Sequence, residues 1–360
     1  KIRVPFALES TLSGCGGRLL KPEEYLWYTR EIELDPKPGE RILLHFGAVD
    51  FRAIVYLGHD EVAMHEGGQL PFTVDITQYA KKGANTLTVL VWDPTEDFIN
   101  SRGKQSFKTF GCFYTRTTGI WQTVWMEFVP REYIRYAKIT PFAEDGRVTV
   151  DVETVGGKTV SAEAFYEGKK VAQASAAVVG GNASLILKPC EIHLWDVRQP
   201  NLYDLTLKLD SGDIVQSYFG IRSIALGSDG LYLNGKPLFM RTILDQGFNP
   251  EGVYTAPSDE FLRRDIELTM DLGFNGARLH QRVFEERSLY WADHLGYIVW
   301  GEYANGTPMS DARGIGYFLP EWMETVRRDY SHPALVTWCP MNESWDTSHH
   351  FPENQGKEQN

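Results

Sequence analysis

Two stretches decide how the second half of this chain is read: DLGFNGARLH at residues 271–280 and HLGYIVWGE at residues 294–302. Each passes from an apolar residue through Gly and an aromatic residue into an apolar run that ends on polar or charged side chains. A Gly just past a helix stops it in the left-handed conformation. Upstream of the first stretch, Leu262, Ile266 and Met270 recur at i, i+4 and i+8, which is the period of a helix face. Ser258 is placed to cap that helix, and Asp259 and Glu260 occupy its first turn, where the helix dipole favours anions. The spacing predicts a helix from Ser258 to Gly273, a strand over 274–280, a helix over 286–295 stopped by Gly296, and a strand over 297–302. Residues 238–244 read as a preceding strand. Pro320 reads as the first residue of a third helix, with Trp322, Val326 and Tyr330 on one face and His332-Pro333 at its end. A fourth strand is predicted over 335–343. The pattern is βαβαβαβ, which calls for a parallel sheet, either doubly wound or a (β/α)8 barrel. No Gly-rich phosphate fingerprint follows the first strand, which disfavours a dinucleotide site.

Working outward, the first 130 residues alternate apolar and polar side chains in short runs, such as Phe72, Val74 and Ile76 or Leu87, Val89 and Val91, punctuated by Gly, Asp and Asn. Period two with such punctuation indicates an antiparallel sandwich. From about Ile134 to Arg222 the same texture continues, with Val148, Val150 and Val152 and candidate strands at 162–166, 183–187 and 205–209. Roughly seven short strands in ~90 residues suit an immunoglobulin-like sandwich.

The 360 residues allow two or three domains. Hydrophobic residues make up 42% and charged residues 23%, a globular balance that excludes wholesale disorder. The formal charge of −12, with no basic stripe, argues against a nucleic-acid partner. No apolar run reaches the ~18–20 residues that span a bilayer, so no membrane partner is expected. Cys15, Cys112, Cys190 and Cys339 form no CxxC pair, which fits neither a zinc site nor a disulfide scaffold. A reducing, cytoplasmic compartment is favoured. Because residue 1 is Lys, a trimmed N-terminus is expected, and a periplasmic or secreted location stays open. The 13% aromatic content suits sandwich cores or sugar-stacking platforms alike.

The strand ends carry Asp245-Gln246, Arg278-Leu279-His280, Glu302 and Asn342-Glu343. In a barrel, such ends hold the catalytic groups. Carboxylates there supply acid/base chemistry, and amide, guanidinium and imidazole groups fix sugar hydroxyls. Glu343 follows an apolar run, so desolvation is expected to raise its pKa and suit it to general acid catalysis.

The segment LVTWCPMNESW at 335–345, preceded by His332-Pro333, resembles the acid/base signature of glycoside hydrolase family 2. GIWQTVWMEF at 119–128 is similar to the last strand of that family's jelly roll, LYLNGKPLFMR at 231–241 to its barrel entry, and the two opening stretches to its second and third barrel strands. The resemblance implies a jelly roll over 1–130, an immunoglobulin-like β-sandwich over 131–223, and the N-terminal half of a (β/α)8 TIM barrel over 224–360. It further implies a retaining exo-β-glycosidase, β-galactosidase-like by preference, with a carbohydrate substrate. By the match, Glu343 is the acid/base, Asn342 holds the sugar 2-hydroxyl, and Arg278 orients the nucleophile. His280, Asp245, Glu302 and Trp345 line the subsite, whereas Trp300 is expected in the core. A complete barrel takes ~250 residues, so the family's nucleophile, a Glu on the seventh strand, is expected beyond residue 360 and is not assigned. Metal ligands after the third strand are not evident, so no cofactor is expected and magnesium is not supported. A homo-oligomer is left open. The competing expectations are a non-catalytic carbohydrate-binding protein using the jelly roll, or an inactive fragment. The basic loop Arg102-Gly103-Lys104-Gln105 is expected on the surface by default, with a reach from the first domain into the barrel mouth as the alternative, and His349-His350 is expected in a solvated tail.

Overall fold

The structure, a computed structural model, describes residues 1–307 and 312–343. The N-terminal region folds as two antiparallel sheets face to face. One has the order Leu26–Leu34, Gly83–Trp92, Arg52–Leu57, Asp60–Glu66, and the other Val124–Pro130, Glu40–Phe46, Phe72–Asp75. The period-two alternation is obeyed: Asn85, Leu87, Val89 and Val91 are buried while the residues between them are more exposed, and Ile42, Leu44, Phe46, Val55, Val89 and Val91 from the two sheets share one core.

The next region has seven strands. Tyr133–Pro141, Val148–Val155 and Asn182–Leu187 form one sheet, and Lys169–Ala177, Thr159–Tyr166, Tyr203–Leu209 and Ile214–Phe219 form the other. Val148, Val150 and Val152 meet Val160, Ala162, Leu205 and Leu207 between them. All four cysteines are free thiols.

After a three-stranded meander at residues 224–238 come β1 (Thr242–Asp245), α1 (Asp259–Asp271), β2 (Gly276–Leu279), α2 (Glu286–Leu295), β3 (Ile298–Glu302), α3 (Ala312–Asp329) and β4 (Leu335–Cys339). The four strands are parallel in the order β1-β2-β3-β4. Ser258 caps α1 by accepting from the Phe261 N–H, and Gly273 and Gly296 follow the first two helices at φ +91° and +67°.

Three boundaries differ from expectation, and one of them is the fourth strand, which stops at Cys339 rather than running to 343. The strand expected over 238–244 is broken. Lys236–Leu238 pairs in the meander and Thr242–Asp245 opens the parallel sheet. The Asn275 side chain spans the break, donating to Phe239 O at 2.9 Å and accepting from Arg241 N at 2.8 Å. Pro320 lies inside α3 rather than at its start. Burying Phe318 against Leu70, Val283 and Tyr303 extends the helix upstream, and this tertiary gain outweighs the backbone bond that an interior proline removes.

The seven-stranded region is fixed to the parallel sheet through Asp293, whose side chain is fully buried. Its Oδ2 accepts from Tyr218 Oη at 2.7 Å and His332 Nδ1 at 2.5 Å, and its Oδ1 from Ala334 N at 2.9 Å. Trp195 Nε1 donates to Asp293 O at 2.8 Å. Arg222 donates to the carbonyls of Pro333 and Leu335. The N-terminal sandwich is joined through Trp121, wholly buried against Ala7, Ala48 and Tyr254. Its indole donates to Gly68 O at 2.8 Å, and its carbonyl accepts from Thr255 Oγ1 at 2.6 Å. No helix among the described residues is long and apolar enough to cross a membrane.

Two predictions follow from these junctions. Trp121→Ala deletes a buried ring and a hydrogen bond, so it should lower unfolding free energy by about 3–5 kcal/mol in a denaturant titration. For His332, burial favours the neutral ring, but the charge and hydrogen bond of Asp293, helped by Asp329 and opposed by Arg328, raise its pKa overall. A raised folded pKa stabilises fully below the unfolded value of ~6.5 and loses that stabilisation as pH rises through the folded value. The Tm gap between the parent and His332→Gln should therefore be widest below pH ~6.5 and narrow above it. A gap independent of pH would refute the coupling.

Candidate active site

The parallel sheet sends alternate side chains to opposite faces. Ala277, Leu279, Val299 and Leu335 pack with the helices. Arg278, Trp300 and Glu302 take the other face, and this parity is what brings them together. Arg278 Nε donates to Glu302 Oε2 at 2.6 Å, and Arg278 Nη2 donates to Asn342 Oδ1 at 2.6 Å. One guanidinium thus links the ends of β2 and β3 to the segment after β4. Its carbon lies 5.3 Å from the Trp300 ring centroid, a cation–π distance.

Glu302 has no exposed side-chain surface. Its Oε1 accepts from Gln281 N at 2.9 Å, and His280 Nδ1 stands 3.2 Å away, poorly aligned for a hydrogen bond. Burial pushes the Glu302 pKa up, yet the contacts from His280, Arg278 and Gln281 together bring it below the ordinary value. Burial likewise opposes the charge on Arg278, but Glu302 holds its pKa above the usual one.

Asp245 does not join this group. It is paired in register with Leu279, so its side chain shares the helix-facing side. There its Oδ1 accepts from Gly247 N at 2.8 Å, and burial raises its pKa against the opposing Gly247 N–H and Arg282. Asn342 is buried, whereas Glu343 is exposed, so the desolvated setting expected for Glu343 is not supplied by the described residues. Trp345, Ser344 and His349-His350 lie outside the described residues. Trp300 is half-buried with its ring over Arg278 on the sheet face away from the helices, and its indole N–H has no partner among the described residues.

Two contributors escaped the sequence reading, and a third enters it only as an alternative. Gln281, at φ +53°, turns its N–H onto Glu302. Asn305 donates through Nδ2 to Asn342 O at 2.7 Å and Glu343 O at 3.1 Å. The loop at 102–105, for which solvent is the default expectation and a reach to the barrel mouth the alternative, is packed, with Ser101 before it, against the strand ends. Gly103 N donates to Asn305 O at 2.6 Å, Ser101 Oγ lies 2.9 Å from Thr307 Oγ1, and Arg102 Nη1 reaches Gly306 O at 3.4 Å. Nearby, Tyr114 of the first sandwich stacks on Phe248 at 4.0 Å. The one local signal for Asn305 was an amide residue three positions past a strand-end carboxylate. Among the described residues, no group of three or more His, Cys, Asp or Glu side chains is placed to hold a metal ion.

Chemically, the arrangement presents a neutralised acid–guanidinium pair, an amide oriented by that guanidinium, and an accessible carboxyl one residue further on. Removing one partner of a buried pair leaves an uncompensated charge. Arg278→Ala should therefore cost about 3 kcal/mol of unfolding free energy. Adding Glu302→Gln should restore part of that loss, and urea titration of the single and double variants measures both.

The family model for glycosyl hydrolases family 2 matches residues 132–222, and the model for that family's sugar binding domain matches residues 20–127. A putative beta-glucuronidase of Formosa agariphila is 26% identical over 341 residues, covering 89% of this chain and 40% of that protein. A beta-glucuronidase of Rattus norvegicus is 25% identical, with coverages of 89% and 54%. A beta-galactosidase of Thermoanaerobacter pseudethanolicus is 26% identical, with coverages of 92% and 47%. The chain thus spans about half the length of these curated relatives. Among solved structures, a b-glucuronidase from Ruminococcus gnavus in complex with uronic deoxynojirimycin is similar with a TM-score of 0.81 at 22% identity, over 99% of this chain and 64% of that one. That likeness concerns the fold. Both β-sandwich regions answer to models of one family, and relatives of that kind align across the parallel sheet as well: the chain belongs to glycosyl hydrolases family 2.

Proposed function

We propose that this chain carries the acid/base side of a retaining exo-β-glycosidase. The observation that supports it is the meeting of Asn342-Glu343 with the Arg278–Glu302 pair at the C-terminal ends of β2, β3 and β4. The strand order runs β1 to β4 without a reversal. A doubly wound sheet reverses its order at the switch point, so the sheet reads as the first four strands of a (β/α)8 barrel, whose catalytic groups sit at these ends.

In such an enzyme one carboxyl group protonates the leaving oxygen and then activates water, while a second, ~5–5.5 Å away, attacks the anomeric carbon. Glu343, exposed beyond β4, is the acid/base in this reading. Glu302 does not suit either covalent or proton-transfer work, because its oxygens are occupied by Arg278 and Gln281. Its work is to hold Arg278. Arg278 in turn occupies Asn342 Oδ1, so the amide presents N–H donors, which suits a sugar 2-hydroxyl oxygen. No residue of this chain is assigned as the nucleophile.

The terminal sugar in this reading is a neutral hexose, galactose first. The cation on this side of the site is already balanced by Glu302, which leaves little to attract a sugar carboxylate. Relatives called beta-glucuronidase and beta-galactosidase stand at nearly equal identity, so an assay must separate them.

The test uses the longest reading frame containing this chain, with aryl β-galactosides, β-glucuronides and β-mannosides. Turnover of the galactoside above the others is expected. Glu343→Gln should lower kcat/KM by about 10²–10⁴ on substrates with poor leaving groups, and far less on dinitrophenyl glycosides, which need no proton. Near-parental rates on the poor leaving groups would reject Glu343 as the acid.

A further inference from the structure

Glu343 lies past the end of β4, so the β3–β4 ladder does not reach its backbone. Asn305 takes that place. Its Nδ2 donates to the carbonyls of both Asn342 and Glu343. The first carbonyl belongs to the peptide plane entering the Glu343 Cα and the second to the plane leaving it. Peptide units are planar, so holding both planes holds φ and ψ of Glu343, and with them the direction of its Cα–Cβ bond.

Asn305 is itself held at both ends. Its Oδ1 accepts from Gly306 N at 2.8 Å, and its backbone carbonyl accepts from Gly103 N of the first sandwich at 2.6 Å. Gly103 has φ +61°, and a Cβ there would run into the Gln281 carbonyl and crowd the Tyr254 hydroxyl. Only glycine fits that wedge without displacement. Gln281 is the residue whose N–H holds Glu302, so the same loop abuts both halves of the strand-end cluster.

We infer that Asn305 is a positioning residue for the acid/base Glu343, and that Gly103 carries the first β-sandwich's contribution to catalysis by holding Asn305 in place. The inference rests on the reading of Glu343 as acid/base. It gives the N-terminal sandwich a role in aligning the proton donor that does not depend on binding sugar.

The experiment compares Asn305→Ala, Asn305→Asp and Gly103→Ala with the parent in the longest reading frame. The Asp variant keeps the acceptor for Gly306 but loses both donors. Displacing a catalytic group by ~1 Å can cost about 10²-fold. Each variant should therefore lose about 10- to 100-fold in kcat/KM on poor-leaving-group β-glycosides and under about threefold on dinitrophenyl glycosides. Equal losses on both substrate types would show a general structural role and overturn the inference, as would no loss. Hydrogen exchange of peptides covering residues 338–343 gives a second readout independent of turnover. Exchange there should be several-fold faster in Asn305→Ala, and unchanged exchange overturns the backbone argument. A parent protein with no turnover on any glycoside would defeat the proposed function instead, and hydrogen exchange alone would then decide whether Asn305 sets this backbone.

Discussion

A carboxylate with no exposed surface must be fully paired or it cannot stay charged. Glu302 is that carboxylate, and the strand-end region is arranged around it. Its pairing with Arg278 demands that β2 and β3 keep their register. Its bond from Gln281 demands a left-handed turn just after β2. Because Arg278 spends a second donor on Asn342, the same demand reaches the segment after β4. The Trp300 ring beneath the guanidinium narrows the positions it can take. The charge is thus a constraint on geometry more than a source of net stability, since desolvating two ions offsets much of their attraction.

The two sandwiches approach this sheet differently. The seven-stranded one grips the helical layer and the entry to β4 through Asp293, Trp195 and Arg222. The N-terminal one reaches the strand ends through Trp121 and the loop around Gly103. One therefore steadies the base of β4 and the other its tip. Arg282 shows how tightly the second contact is made. It is buried between Trp121, Tyr254 and Phe284, with guanidinium-to-ring distances of 5.1, 4.3 and 4.6 Å, so aromatic faces from both regions share one cation.

Much of this was legible in the sequence where the signal is local. The first two helices of the parallel region, with Ser258 and the glycines at 273 and 296, are written in capping chemistry that neighbours alone decide. The strand around Val148, Val150 and Val152 and those at 162–166, 183–187 and 205–209 follow from period two. Arg278 and Glu302 could be placed because apolar runs ending on charges mark strand ends. What was not legible depends on partners distant in the chain. Asp245 looked equivalent to Arg278, but its face is set by a register that the Asn275 bridge resets. Pro320 looked like a helix start, because the burial of Phe318 that prolongs the helix depends on Leu70. For Arg102 and Gly103 solvation is the default reading and a reach to the barrel mouth only the alternative, because their partners lie some two hundred positions away. The exposure of Glu343 likewise follows from where β4 stops pairing, which its apolar sequence does not mark.

The buried Asp293 has a meaning for how the molecule can be divided. Family boundaries fall near residue 222, and the parallel sheet opens at residue 242, so the chain invites a cut between them. Such a cut would leave Asp293 on one piece and Tyr218 and Trp195 on the other. The seam that looks natural in the linear order is therefore crossed by buried hydrogen bonds, and a cut there would leave polar groups without partners on both pieces.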